Sequence, residues 1–283
     1  MAANDQPFGV VPVVRGGEMM RFALKEVAKL DKGMDEWAIL GCYRGSIAHG
    51  TYRPQDDPNS IDDKDLLFVC VPDVYHYVGM KRYGSHGRGT KEIKQDEYDV
   101  VIHEARKFIS LLTKGNPNVL QILWTDRRHF VRLSDAGNLL IGNRHVFVGK
   151  HVYHSFTGYA HSQLHRMTHH AFEGYMGEKR KALVQKHGYD TKNAAHLIRL
   201  LNMGIEFLTV GDLQVTRPDR KMLLAIKDGE WKLEDVKAEA DRLFTLAQET
   251  YVRSKLPERP DPQAANKLCA DVVMLALTKR GEW

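Results

Sequence analysis

The sequence predicts an α+β protein, and two regularities in its hydrophobic residues support that class. In the first half of the chain, hydrophobic runs of strand length occur near residues 36–42, 66–71 and 97–103. In the second half, apolar residues recur at helical spacing over residues 192–210, 233–251 and 263–277. We therefore expect a small mixed β-sheet flanked by helices over residues 1–150, and a helical domain over residues 151–283 that closes a cleft.

Three further segments complete the expected order of elements. Residues 18–30 carry apolar side chains at helical spacing and predict a helix before the first strand. Residues 81–94 are rich in glycine and basic side chains, and this composition predicts a mobile loop. Residues 104–112 predict a helix, because glycine and proline follow directly after its last apolar positions.

Composition restricts the class of protein. The net charge of +5 fits a partner that carries phosphates, although so small an excess does not specify nucleic acid. The three cysteines lie far apart and form no Cys-x-x-Cys motif, which favours a reducing compartment. The N-terminus lacks a signal-peptide pattern, and no apolar run approaches the roughly 20 residues that span a bilayer. We expect a cytoplasmic protein with no membrane partner.

The stretch from residue 41 to residue 72 carries the clearest chemical signal. Asp63 and Asp65 stand where its second hydrophobic run begins, and residues i and i+2 of a strand point to the same face. Two neighbouring carboxylates repel each other unless a positive charge lies between them. Oxygen ligands suit a hard divalent cation, so this pair predicts a site for Mg²⁺ or Mn²⁺.

Gly45 and Ser46 predict a phosphate site next to that metal pair. Glycine lets the backbone approach a ligand closely, and the serine hydroxyl and backbone N–H groups can hold phosphate oxygens. A phosphate site followed by an acidic metal pair indicates metal-assisted phosphoryl or nucleotidyl transfer.

Gly-Ser followed by Asp-x-Asp on the next strand resembles the signature of the DNA polymerase β-like nucleotidyltransferase superfamily. The span between the two motifs is longer than is common, with residues 53–59 as the apparent insertion, so Asp62 competes with Asp63 for the metal position. We choose Asp63 because it shares a strand face with Asp65. The resemblance also implies a third carboxylate from a neighbouring strand, for which we choose Asp99 over Glu97.

Further motifs narrow the resemblance to one branch. Asp99 is followed by Lys107-Phe108, by the sequence GNPN at 115–118 and by the sequence SFTGYA at 155–160. The sequence YDTKNAAHLIRLL at 189–201 completes the pattern. Together they resemble the RNA-repair-associated nucleotidyltransferases of phages and bacteria. This resemblance implies an RNA partner, such as a tRNA or a nicked RNA end.

A helix over residues 192–210 predicts the second half of the site. Lys192, His196 and Arg199 lie at i, i+4 and i+7, which places them in one cationic stripe between apolar flanks. Without a partner such a stripe would be costly to bury, and a triphosphate would supply that partner. A solvated cationic stripe is the alternative. The nearby His161, His165, His169 and His170 have helical spacing too, and we interpret them as a helix face rather than a zinc site.

We therefore expect a transferase that moves a nucleoside monophosphate from a nucleoside triphosphate to a hydroxyl group, with release of pyrophosphate. Asp63, Asp65 and Asp99 would hold the metal, while Gly45, Ser46, Lys192, His196 and Arg199 would hold the nucleotide. Two alternatives stay open. The acceptor could be a protein or a small molecule, or the chain could be an inactive protein that only binds nucleotide or RNA. A phosphohydrolase fits the two motifs less well.

Overall fold

The computed structural model describes residues 25, 27–29, 31, 33–54, 56–57, 60, 62–168 and 178–283. It is a mixed α and β structure with one five-stranded sheet, which confirms the predicted α+β class. The helix predicted over residues 18–30 lies mostly outside the described residues.

The sheet runs in the order β3-β4-β2-β1-β5. Its strands are β1 (Ala38–Tyr43), β2 (Lys64–Cys70), β3 (Thr90–Gln95), β4 (Tyr98–Glu104) and β5 (Phe130–Leu133). The central pair β2 and β4 is parallel, whereas the other three pairs are antiparallel. The strands near residues 36–42, 66–71 and 97–103 are thus confirmed as β1, β2 and β4, within two residues at each end.

Helices flank the sheet and make up most of the second half. The α-helices of the described residues are α1 (Met34–Trp37), α2 (Gly45–His49), α3 (Ala105–Thr113), α4 (Pro117–Leu120), α5 (Asp135–Gly142), α6 (Val152–Thr168), α7 (Glu178–His187), α8 (Thr191–Val210), α9 (Arg220–Lys227), α10 (Leu233–Arg253) and α11 (Pro262–Lys279). Short 3₁₀ turns occur at Val74–His76, Ser85–Gly87, Gln121–Trp124, Arg127–His129 and Arg144–Phe147. The helix predicted over residues 192–210 is α8, and the Asp190 carboxylate caps it by accepting from the Asn193 N–H.

The prediction of a mobile loop over residues 81–94 is wrong from Thr90 onward. Residues from Thr90 onward form the edge strand β3, which pairs with β4 from Thr90 opposite His103 to Gln95 opposite Tyr98. Ile93 is the only apolar residue of this strand, so no hydrophobic run marks it in the sequence. An edge strand exposed on its outer side tolerates such polar composition, because its partner strand supplies the hydrogen bonds.

The two faces of the sheet pack against different cores. One face, with Leu67 and Val69, joins a large apolar core that continues through the helices as far as Leu277 in α11. The other face, with Leu66 and Phe68, packs against a smaller cluster. The large core crosses residue 150 without interruption, and the division into two domains there stays a prediction. Within the described residues, no helix combines the length and hydropathy that a membrane crossing needs.

Candidate active site

A cleft of about 260 Å³ lies between the start of the parallel strands and helix α8. Every nucleotide-binding and metal-binding residue chosen from the sequence lines it: Gly45, Ser46, Asp63, Asp65, Asp99, Lys192, His196 and Arg199. Their roles stay predictions, but the fold brings all of them to one place from four separate segments of the chain.

Carboxylates form one wall of the cleft. Asp65 and Asp99 are register partners on the parallel strands β2 and β4, so their side chains project side by side. Burial raises the pKa of the Asp65 carboxyl, the Arg44 guanidinium opposes that shift, and the Asp99 carboxylate adds to it. Asp63 lies just before β2 and is exposed. Glu97, the rival of Asp99, instead forms an ion pair with Lys64.

Asp62 has a different environment from Asp63. Its side chain is buried, and its carboxylate accepts a hydrogen bond from the Arg53 N–H at 3.0 Å. It also forms an ion pair with Lys227 and lies 3.7 Å from the Lys192 Nζ. Asp62 is thus bound to cations of the protein itself. Asp65 also lies 3.8 Å from the Arg44 guanidinium, and the choice of Asp63 with Asp65 as the metal pair stays a prediction.

Gly45 brings the backbone against the carboxylate wall. Its φ is +62°, and a Cβ at this position would lie 2.4 Å from the Asp65 Oδ2. Because a side chain would collide with that oxygen, only glycine allows the turn and the carboxylate to occupy this space together. The Arg44 N–H donates to the Asp65 carbonyl at 2.9 Å and fixes this approach. Ser46 follows at the start of the short helix α2.

Helix α8 supplies the cationic wall. Arg199 is buried, with 5% of its surface exposed, and its Nη1 contacts the Met203 sulfur at 3.2 Å. In the described part of the chain, no carboxylate forms an ion pair with Arg199. Burial lowers the pKa of its guanidinium to about 9, and the nearby Arg217 adds to this effect. The alternative of a solvated stripe therefore does not hold for Arg199.

Lys227 is a cleft residue that the sequence analysis missed. It ends α9, it is buried, and its ammonium donates to the Thr51 carbonyl at 3.2 Å and contacts the Asp62 carboxylate. Burial lowers its pKa, which Asp62 partly offsets. The spacing of Leu223, Ile226 and Lys227 (i, i+3, i+4) could have placed Lys227 on the buried face of α9.

The oxygen donors of the cleft fit a divalent cation that binds together with a nucleotide. Among the described residues, no group of three or more His, Cys, Asp or Glu side chains could hold a metal by itself. Mg²⁺ in phosphoryl-transfer sites commonly takes one or two carboxylates and completes its shell with substrate phosphates and water. The paired Asp65 and Asp99 satisfy that smaller requirement.

The histidines of α6 lie elsewhere. The His161 ring stacks on Phe244 with 4.1 Å between ring centroids, which joins α6 to α10. His165 is also on α6, whereas His169 and His170 lie outside the described residues. Neither His161 nor His165 is among the residues that line the cleft.

Comparison with known proteins places the chain in a family. The model of the RNA repair pathway DNA polymerase beta family matches residues 19–271, which include both walls of the cleft. A nucleotidyltransferase-like protein from Exiguobacterium sibiricum matches 93% of this chain and 75% of its own, with 10% identity and a TM-score of 0.27, too low to add to the assignment. No curated protein matches the chain. The family match confirms the resemblance seen in the sequence: this chain belongs to the RNA repair pathway DNA polymerase beta family.

Proposed function

We propose that this protein transfers a nucleoside monophosphate from a nucleoside triphosphate to a hydroxyl group at an RNA end and releases pyrophosphate. The observation that carries the proposal is the buried Arg199 guanidinium, which lines the same cleft as Asp65 and Asp99 and forms no ion pair with a carboxylate of the described residues. A buried cation without a counter-ion is costly, and an anionic ligand would offset that cost.

The triphosphate would lie along the cationic wall. Arg199 and Lys192 on α8 would hold phosphate oxygens, and His196 between them would donate a hydrogen bond. Gly45 and Ser46 would hold the β and γ phosphates from the other side through backbone N–H groups and the Ser46 hydroxyl. The α-phosphorus would then face the carboxylates.

Asp63, Asp65 and Asp99 would hold Mg²⁺ or Mn²⁺. When bound, the metal would neutralise charge that develops on the phosphoryl oxygens. The attacking hydroxyl oxygen forms a bond to the α-phosphorus, and the bond from that phosphorus to the bridging oxygen of pyrophosphate breaks. Asp99 would accept the proton of the hydroxyl, and its position beside Asp65 at the start of the parallel strands supports this role.

The test is labelling with each of the four α-³²P nucleoside triphosphates, Mg²⁺ or Mn²⁺, and a mixture of RNAs with free 3′ or 5′ ends. We expect label on RNA and release of pyrophosphate with the wild-type protein, and neither product with the Asp63→Asn/Asp65→Asn variant.

Other outcomes point to the alternatives that the sequence left open. Label on a protein or on a small molecule would replace RNA as the acceptor. Nucleotide binding without pyrophosphate release under any condition would contradict the enzyme and favour an inactive binding protein. Release of inorganic phosphate without a labelled acceptor would indicate hydrolysis instead of transfer.

A further inference from the structure

A second cavity, which we call the basic groove, lies away from the cleft. It has a volume of about 650 Å³ and lies between the segment of residues 76–89 and the junction of β4 with α3. Its charged lining residues are Lys81, Arg82, Arg88, Glu104, Arg106 and Lys107. Glu104 follows Asp99 by five residues on β4, so the groove begins about 17 Å along the strand from the catalytic carboxylates.

The charge of the groove is strongly unbalanced. Its one lining carboxylate, Glu104, is buried and already accepts from the Tyr77 hydroxyl at 2.9 Å and from the Arg106 N–H at 3.1 Å. Among the cations, Lys81 pairs with Asp73 outside the lining, and Arg106 pairs with Glu104. The positive charge of the groove therefore exceeds what the described residues neutralise.

Three cations of the groove are left for an external anion. In the described part of the chain, no ion pair or hydrogen bond involves the side chains of Arg82, Arg88 or Lys107. Arg82 and Arg88 are exposed, and Lys107 is half-buried. Exposed cations that face one cavity without internal partners are typical of a surface that binds a polyanion.

The walls of the groove are held in place before any ligand binds. The Gly89 N–H donates to the Tyr83 carbonyl at 2.9 Å, and the Glu104 N–H donates to the Gly89 carbonyl at 2.8 Å. Gly89 has a φ of +77°, and a Cβ there would lie 2.8 Å from the Lys107 Cβ, so glycine is needed for this close contact. The loop is thus fixed against α3 with its cations pointing into one cavity.

The rim adds apolar and aromatic surface. Tyr75 is 61% exposed and Met80 is 97% exposed, and the Lys81 ammonium lies 5.3 Å from the centre of the Tyr75 ring. An exposed aromatic ring next to cations suits a single-stranded nucleic acid, whose bases stack while its phosphates pair with the cations. A folded protein partner would instead require a larger apolar patch.

We propose that the basic groove binds the RNA strand that carries the acceptor end, with its phosphates on Arg82, Arg88 and Lys107 and a base against Tyr75. This inference rests on the proposed RNA acceptor. The separation of about 17 Å corresponds to about five nucleotides at the axial spacing of one strand in a duplex. The groove would therefore hold the strand several nucleotides away from its reacting end.

The test compares two double variants that lose the same charge. Arg82→Gln/Arg88→Gln changes the groove, whereas Arg253→Gln/Lys255→Gln changes exposed cations at the end of α10. Binding of a fluorescein-labelled 12-nucleotide single-stranded RNA is measured by anisotropy at several salt concentrations, and ATP binding is measured by calorimetry. Arg82→Lys/Arg88→Lys serves as the variant that keeps the charge.

We expect the groove variant to bind the RNA about tenfold more weakly than wild type, with a salt slope that is smaller by about 1.4 for two lost phosphate contacts. ATP binding stays unchanged, the lysine variant binds RNA within a few-fold of wild type, and the α10 variant matches wild type. For RNAs shorter than about five nucleotides, wild type and the groove variant should have similar affinities. Such an RNA cannot extend from the cleft to the groove.

The experiment distinguishes failure of the groove proposal from failure of the proposed function. If wild type labels RNA and the groove variant binds and labels it equally well, the groove is not the RNA site and the proposed function stands. An equal loss of RNA affinity in the α10 variant would also contradict the proposal, because the net charge of the protein would then explain the effect. If wild type binds ATP but no RNA, both the groove and the proposed RNA acceptor fail.

Discussion

The cleft and the basic groove are both cationic, but their cations differ in burial and in partners. In the cleft, Arg199 and Lys227 are buried, and Lys227 is held by Asp62. In the groove, Arg82 and Arg88 are exposed and belong to no ion pair within the described residues. The same kind of charge is thus placed in two physically different environments.

This difference indicates two kinds of recognition. Buried cations are little screened by salt and are fixed in position, so they can select one small anion in one orientation. Exposed cations are screened and mobile, so they attract any polyanion with an affinity that depends on salt. The contrast suits a protein that orders a triphosphate in its cleft and holds an extended strand at its surface.

The largest expected effect tests the carboxylate wall. Asp65→Asn should reduce nucleotidyl transfer at least about a thousandfold, because a lost metal ligand removes several kcal/mol of transition-state stabilisation. Initial rates of transfer from labelled nucleotide measure the effect. Asp271→Asn on α11 removes a carboxylate that pairs only with Lys267 at the surface and should keep wild-type activity. Equal rates for both variants would remove Asp65 from the chemistry.

The next prediction concerns the buried ion pair of Asp62 and Lys227 in the cleft. Lys227→Met should cost about 3 kcal/mol of unfolding free energy, because it leaves the buried Asp62 carboxylate without its closest cation. Urea denaturation measures the loss. The double variant Asp62→Asn/Lys227→Met should regain part of the stability, since the unpaired charge is gone. A Lys227→Met protein as stable as wild type would show that Lys192 alone satisfies Asp62.

A third prediction compares two buried arginines, Arg199 and Arg217, of which only Arg217 forms ion pairs among the described residues. Arg199→Met should weaken ATP binding by at least about tenfold, because a charged hydrogen bond to phosphate contributes roughly 2 kcal/mol. It should also raise the melting temperature, since it removes a buried charge that forms no ion pair with the described residues. Arg217→Met is the matched control: Arg217 is equally buried but pairs with Glu206 at 2.7 Å and with Asp219 at 2.9 Å, so its loss should destabilise. Equal melting shifts for the two would contradict this comparison.

The last prediction concerns His103, whose pKa is affected by a cation near the cleft and a cation in the groove. Burial lowers its pKa to about 4, and Arg44 near the cleft and Lys107 in the groove add to the shift. Above the ordinary pKa of about 6.5, this histidine is neutral in both states and its contribution is constant. As the pH falls from 6.5 to about 4, only the unfolded state takes up the proton. Stability should then fall by up to about 1.4 kcal/mol per pH unit.

Denaturation midpoints between pH 7 and pH 4 measure this loss. His103→Gln should make stability depend less on pH between pH 6.5 and about 4. At higher pH, its difference in stability from wild type should stay constant. His154→Gln, at an exposed position, should reproduce the wild-type profile. An unchanged profile in His103→Gln would mean that other groups cause the acid sensitivity.

Features that depend on local pattern could be predicted from the sequence. Helix α8 was expected over residues 192–210 from the spacing of its apolar residues, and it runs over Thr191–Val210. Strands β1, β2 and β4 were expected from hydrophobic runs. Strands β3 and β5 were not expected, since they are short or polar and become strands through pairing with β4 and β1. The composition of a short or polar segment does not predict its pairing with a strand from elsewhere in the chain.

The sequence by itself predicted that Gly45, Asp65 and Arg199 meet in one cleft, because they lie in motifs that resemble those of one family, but it did not predict Lys227. Only the tertiary structure decided how these residues are held. Asp62 turns inward to Lys227, Arg199 is buried with no ion-pair partner among the described residues, and Arg82 and Arg88 face one cavity. Spacing along a helix or a strand fixes the direction of a side chain relative to its neighbours. Burial and pairing depend on segments far apart in the chain, and their positions are set only when the whole core packs.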